Sequence, residues 1–449
     1  MSTGLMIVNL FIAIAIILVL ILKFKQNPVI AMFVGALFVG VFSGAGLVGT
    51  VDAIVAGFGN TMTGIGISVG FGIILGQVVA DTGSVQAIAN AVIKKFGNKH
   101  ADTAMGATGF IVSIPVFYDV GYVILVPIAK VLAKQTKQGI ASFIACLVAG
   151  LGIAHTFIPP TPGPLTGAEL LGVDVGQIIL FGLLIGIPTF LLTCFIYKNV
   201  FLKREGFFDE SCFDQAALEE NSKNQEIIEP EKLPGFFKAL LPIFVPIILI
   251  VLGTVSTAIM GKENVPEWIM FLSNKNVAMF IGVLASFFLA KDILNKEQLA
   301  KSVDNSLGSA GMVLLITGMG GGLGNVLSVV GAGDAILTVI QKFNVPAIVF
   351  IWLIAGLLRM AQGSGTVAMI TSISLVAPML PNLSVSPVLL ALASFSGSLL
   401  LAHVNDSGFW VTTKIAGLST KGGLKTYTLV CFLESVISFA FILILNIFM

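Results

Sequence analysis

Long apolar runs recur from one end of the chain to the other, and they are continuous rather than alternating. Residues 5–22 read LMIVNLFIAIAIILVLIL, 30–49 read IAMFVGALFVGVFSGAGLVG, and 436–449 read VISFAFILILNIFM. About 20 consecutive apolar residues cross the hydrocarbon core as a helix, whereas a barrel strand would alternate. The pattern predicts an all-α polytopic membrane protein with spans near 5–22, 28–48, 64–80, 140–158, 176–197, 236–260, 275–291, 306–330, 387–402 and 424–447. Segments 104–134 and 345–380 each read as two short helices around a polar middle, and are predicted to be re-entrant hairpins. The first run lacks a basic start and a small-residue cleavage site, so a retained span is expected there.

Two apolar runs break where proline and polar residues crowd together. The stretch AHTFIPPTPGP (154–164) carries His155 and four prolines, and AHVNDSGFWVT (402–412) carries His403, Asn405, Asp406 and Ser407. Proline removes a backbone donor and clashes with the preceding turn, so the first helix must break. The two stretches align at a shift of about 247 residues, which also lays NAVIKKFG (90–97) on LTVIQKFN (337–344) and PVFYDVGYV (115–123) on QGSGTVAMI (362–370).

The expected organisation is therefore two inverted-topology repeats, each with about five transmembrane spans, one re-entrant hairpin and one broken helix. The first covers 1–201, with its broken helix at 140–172. A cytoplasmic linker follows at 202–235, and the second repeat covers 236–449, with its broken helix at 387–416. Inverted repeats with discontinuous helices are the mark of secondary transporters that bind solute near the midplane. Non-helical backbone at that depth is tolerated only inside protein or around a cavity.

Composition sharpens the class. Hydrophobic residues make up 56% of the chain and charged residues 10%, against about 25% charged in soluble domains. If both hairpins return to their own side, then of 24 Lys and Arg only Lys262, Lys275, Lys342 and Arg359 fall opposite the rest. The positive-inside rule makes the crowded side cytoplasmic and puts both termini outside. A net charge of +1 points to no macromolecular partner, and no nucleic-acid partner is expected. Cys146, Cys194, Cys212 and Cys431 are too scattered for a metal or a disulfide framework, and read as packing residues.

The candidate chemistry lies in the hairpin tips and the breaks. The tips contribute Tyr118 and Asp119, then Gly363, Ser364, Gly365 and Thr366; the breaks contribute His155, Thr156 and Thr161, then His403, Asn405, Asp406 and Ser407. Hydroxyl and amide groups beside free helix N-termini suit a polyhydroxylated carboxylate. Ionisable groups inside a membrane mark proton relays or ion paths, which makes Asp119 and Asp406 candidates for proton coupling. Each carboxylate has a competing role as a helix cap, and each histidine as a partner for freed carbonyls. Arg359 either neutralises a substrate carboxylate, or snorkels or pairs with an acid. Glu434, isolated in the last span, is expected to pair within the scaffold. The glycine-rich GMGGGLGNVLS (318–328) lacks the strand context of a nucleotide loop and reads as close helix packing. With no phosphate loop, metal cluster or nucleophile–base spacing, neither ATP-driven transport, an enzyme nor a cofactor is expected.

At FYDVGYVILVP, HTFIPPTPGP, GSGTVAMIT and HVNDSGFW the sequence resembles the gluconate permease (Gnt) family of the ion transporter superfamily, from about residue 5 to 447. The resemblance implies a proton symporter for a small anionic sugar acid in a bacterial inner membrane, an elevator-type mechanism and a homodimer. Gluconate-type members tend to carry Glu at 119, His at 161, Ala at 365 and Pro at 407. Asp119, Thr161, Gly365 and Ser407 therefore imply a substrate shorter or differently hydroxylated than gluconate, such as glycerate or a tetronate. Sodium-coupled carboxylate carriage and proton-coupled D-serine carriage are the alternatives; a passive channel would need no paired tips.

Overall fold

A computed structural model of the protein describes residues 3–96, 100–136, 138–214, 233–335, 338, 345–404 and 406–449. Among the described residues the regular elements are helical. In the first half they are α1 Thr3–Leu22, α2 Pro28–Phe42, α3 Leu47–Asp81, α4 Ser84–Phe96, α5 Ala101–Val112, α6 Tyr118–Thr136, α7 Ile140–Phe157, α8 Pro162–Leu170 and α9 Val175–Ile196. The second half holds α10 Phe236–Met260, α11 Glu267–Ser273, α12 Lys275–Ala290, α13 Lys296–Val329, α14 Ala347–Gln362, α15 Gly365–Val376, α16 Pro387–Gly397, α17 Ser407–Ala416, α18 Thr420–Gly423 and α19 Leu429–Leu445. A π-turn, Leu424–Thr428, joins α18 to α19. Most of the expected linker (215–232) lies outside the described residues; its start is fastened where Lys421 pairs with Asp209 at 3.3 Å.

Eight described helical segments are long and apolar enough to cross a bilayer, or nine if the α11–α12 pair, bent by 64°, counts as one. Ten spans were expected. Those at 28–48, 275–291 and 387–402 fall short of crossing alone, because α2, α12 and α16 are only 15, 16 and 11 residues long, whereas Gly365–Asn382, inside the expected second hairpin, is long and apolar enough. Helices α3 and α13 run to 35 and 34 residues, about 50 Å at 1.5 Å per residue, where 64–80 and 306–330 were expected. Polar and glycine-rich turns at their starts lower the hydropathy without breaking the helix.

Those glycines have a packing role. A Cβ on Gly57 would run into the Gly321 carbonyl, and one on Gly318 into the Phe58 ring. Asn325 Nδ2 donates to the Ala53 carbonyl at 2.8 Å across the same seam. The glycine-rich stretch 318–328 is thus the close-packed face that binds α13 to α3. A second close approach joins α5 to α7, where a Cβ on Gly150 would strike the Gly106 carbonyl. Small residues at such crossings allow the backbone contact that drives helix association in lipid.

Leu184, Phe195, Phe237, Ile248 and Phe288 project outward, as a lipid-facing surface requires. By contrast, nine-tenths of the most apolar window within 140–170 is buried (89%), so α7 and α8 run through the interior.

Candidate functional site

Helix α7 ends where Ile158 N donates to the Ala154 carbonyl, ahead of Pro159 and Pro160. The carbonyls freed by this break need new donors. Thr161 supplies one, its hydroxyl lying 2.8 Å from the His155 oxygen and 2.9 Å from that of Ile158. Pro162 then opens α8 at a position where its missing N–H costs nothing. In the second break the chain turns after α16, and Asp406 caps α17 by accepting from Gly408 N at 2.9 Å. Between α14 and α15, Gly363 takes φ +84, a left-handed conformation that favours glycine. Ser364 then caps α15, accepting from Val367 N at 3.3 Å.

These interruptions surround one cavity of about 390 Å³. Of the residues singled out in the sequence, Tyr118, Asp119, His155, Thr156, Gly363, Ser364, Gly365, Thr366, Asp406 and Ser407 line it. Thr161 and His403 do not. Thr161 is spent on the broken backbone of α7, and His403 Nε2 lies 3.1 Å from the Met360 carbonyl. Asn405 lies outside the described residues. The cavity walls come from the α5–α6 turn, α6, α7, α8, α14, the α14–α15 turn, α15, the segment after α16, α17 and the start of α19. None of the lining residues belongs to α1–α3 or α10–α13.

Its electrostatic centre is a buried pair. Arg359 and Asp406, 7% and 5% exposed, form an ion pair. Arg359 Nη1 also donates to the Gly363 carbonyl at 2.8 Å. The Tyr427 hydroxyl donates to Asp406 Oδ2 at 2.6 Å. Among the described residues Arg359 Nε has no hydrogen-bond partner, so the guanidinium retains a free donor. Asp119 also lines the cavity, and no hydrogen bond or ion pair to it is found among the described residues. Tyr118 is held by Thr412, hydroxyl to hydroxyl at 2.7 Å, and packs edge-on against Tyr427 with ring centroids 5.9 Å apart.

Tyr427 was not singled out in the sequence, although a tyrosine within an apolar run carries a polar tip that must find a partner. Gly365 is tightly constrained: a Cβ there would sit 2.9 Å from Arg359 Nη1 and 3.4 Å from the Ser398 carbonyl. Arrangements of this kind can hold an anion between one guanidinium, several hydroxyls and the amides at two helix starts.

The profile of the GntP family permeases matches residues 5–448. The chain belongs to this family. The permease is 34% identical to an uncharacterized permease of Haemophilus influenzae over 92% of its own length and 86% of the relative's. It is 32% identical to a high-affinity gluconate transporter of Escherichia coli, covering 95% of both chains. Among solved structures it resembles MtrF of Neisseria gonorrhoeae, described as belonging to a class of antimetabolite efflux pumps. The TM-score is 0.64 at 14% identity, over 89% of this chain and 85% of that one. At that identity the likeness concerns the fold alone. The permease is thus a multi-span membrane transporter rather than an enzyme.

Proposed function

We propose that the permease imports a small hydroxy-carboxylate together with protons across a bacterial inner membrane. The observation that carries this reading is the buried Arg359–Asp406–Tyr427 cluster on the wall of a hydroxyl-rich cavity. With Asp406 ionised, Arg359 is already neutralised and a second carboxylate gains little from it. Protonation of Asp406 releases the guanidinium to the substrate carboxylate, so proton and anion load together. Asp119, unpaired and facing the same space, is the other proton-coupling carboxyl. Ser364, Thr366, Thr156 and Ser407 are placed to exchange hydrogen bonds with substrate hydroxyls. The printed name of the E. coli relative, a gluconate transporter, supports a sugar acid as cargo.

Element order supports the inverted-repeat reading. In each half a long helix (α3, α13) is followed by a short pair meeting at a polar turn (α5–α6, α14–α15). A broken pair comes next (α7–α8, α16–α17), then a final helix beside a π-turn, Tyr197–Phe201 after α9 and Leu424–Thr428 before α19. The pairs α5–α6 and α14–α15 are the re-entrant hairpins of this scheme. Domain limits follow as 1–201 and 236–449, joined by the linker, with both termini outside. An elevator motion is supported by the placement of the cavity. All its walls lie outside α1–α3 and α10–α13, so one body can carry the site past a frame that joins two copies in a homodimer.

Asp119 also favours a second reading. A free carboxylate opposite a guanidinium suits an amino acid such as D-serine, whose ammonium would pair with it. The test is uptake of labelled gluconate, threonate, glycerate and D-serine into proteoliposomes under an inward proton gradient. Accumulation of a sugar acid supports the leading assignment, accumulation of D-serine alone replaces it, and accumulation of none refutes both.

A further inference from the structure

Glu434 lies deep in α19 and takes no part in the scheme above. It has no exposed surface. No side chain pairs with it among the described residues; its contact with the scaffold is the Ile153 backbone of α7. Its Oε2 lies 2.9 Å from the point where a Cβ on Gly152 would stand, so the room for the carboxyl is made by a glycine of α7. Gly152 lines the cavity, and so does Cys431, three residues before Glu434 on the same helix. The carboxyl thus stands one helical turn behind the cavity wall, screened by a residue without a side chain.

The ionisable groups around it are few. Cys431 faces it from α19 and Cys194 from α9. Nearby on α16, the Ser396 hydroxyl donates to the Ser435 carbonyl at 2.7 Å. On α7, His155 lies one turn beyond Gly152, with Nδ1 unpartnered among the described residues. Arg359, across the cavity wall, is held by Asp406. The one group of α7 that reaches it is the Ile153 backbone N–H; no basic side chain pairs with it among the described residues, and a carboxylate without a counter-ion is far costlier to bury than its neutral acid. Packing alone would be met as well by glutamine or methionine.

The geometry points to Glu434 as a further proton-carrying carboxyl of the permease, loaded in this conformation and discharged when α7 and α19 shift at Gly152. The step is a proton transfer only: the Glu434 O–H bond breaks toward water reaching the cavity wall, and re-forms when the wall closes. This inference rests on the proton-symport reading and adds a third carboxyl to Asp406 and Asp119.

The test uses the full-length permease in proteoliposomes, with labelled gluconate, threonate and glycerate tried in turn. At a fixed pH difference, the opposing substrate gradient that stops net flux reports the number of protons carried. For each unit of pH difference, one proton fewer lowers that gradient about tenfold. Glu434→Gln, which mimics the neutral acid, is expected to show this tenfold drop while keeping substrate exchange, and Glu434→Asp to restore the gradient. Equal gradients in wild type and Glu434→Gln overturn the inference and leave symport standing. A wild-type gradient indifferent to pH overturns symport itself, and the inference with it. Should Glu434→Gln fail to assemble, infrared spectra of the wild-type protein with 13C-labelled glutamate decide. The expected result is a protonated C=O band at pH 7.5 that shifts with the isotope; a spectrum without it overturns the inference.

Discussion

Replacing Asp406 by asparagine tests the shared-arginine mechanism at its centre. Asparagine is nearly isosteric and caps a helix about as well as aspartate, so the bond to Gly408 N, 2.9 Å in the native protein, has a replacement. What disappears is the charge opposite Arg359. Removing one partner of a buried pair costs about 3–5 kcal/mol, because the other is left uncompensated. A substrate carboxylate repays part of that cost, since a hydrogen bond to a charged group contributes about 1.5–3 kcal/mol. Asp406→Asn is therefore expected to be less stable than wild type when empty and to recover disproportionately on adding substrate. Its affinity at pH 8 should rise about 10- to 100-fold, the range those energies give at 1.4 kcal/mol per decade. The sign with pH follows from linkage. On the proposed mechanism the anion binds together with one proton, so wild-type affinity is expected to fall as pH rises, by up to about tenfold per unit for a single proton. In Asp406→Asn that component is absent, and the pH slope is expected to fall by the share of one proton. Calorimetric titration of the purified permease across this range, with thermal unfolding alongside, measures both. A variant that binds more weakly than wild type at pH 8, with its pH slope intact, refutes the reasoning.

Four further substitutions probe the surrounding residues. Asp119→Asn is expected to lower the proton-driven accumulation gradient while sparing substrate exchange; full accumulation by the variant removes Asp119 as a proton carrier. Ser364→Ala should weaken binding by about 0.5–1.5 kcal/mol for one neutral hydrogen bond, and stability by about 1 kcal/mol for the lost cap; binding assays and melting curves separate the two. Thr161→Ala strips the donor from two buried carbonyls at about 1–3 kcal/mol each. It should lower the melting temperature while leaving the pH dependence of binding unchanged, since Thr161 stands outside the cavity. Gly365→Ala places a methyl 2.9 Å from Arg359 Nη1 and should alter discrimination among sugar acids in competition assays, with little loss of folded protein.

Most helices were legible because a lipid-facing helix writes itself as a continuous apolar run. The exceptions have physical reasons. Helix α3 begins in turns that carry glycine and threonine and α13 in charged and polar turns, and hydropathy cannot distinguish such turns from loops. The cavity-lining clusters stood out because polar residues at membrane depth are rare, which is how Tyr118, Asp119, Ser364 and Asp406 were found together. Pairing was not legible. Arg359 and Asp406 lie on different helices, joined only in three dimensions, and Tyr427 looked like one aromatic among many. Thr161 shows the opposite limit: the proline break was read correctly, but which polar residue would satisfy its carbonyls and which would face the cavity depends on side-chain direction. Glu434 was expected to find a partner in the scaffold; among the described residues no side chain supplies one, and the glycine facing it on α7 makes the room.

The most direct measurement of the central claim is substrate uptake by wild-type permease in proteoliposomes under two separate driving forces. One is an inward proton gradient without sodium; the other is an inward sodium gradient at equal pH. The account predicts accumulation of a hydroxy-carboxylate in the first case and mere equilibration in the second. Accumulation driven by sodium alone would contradict it.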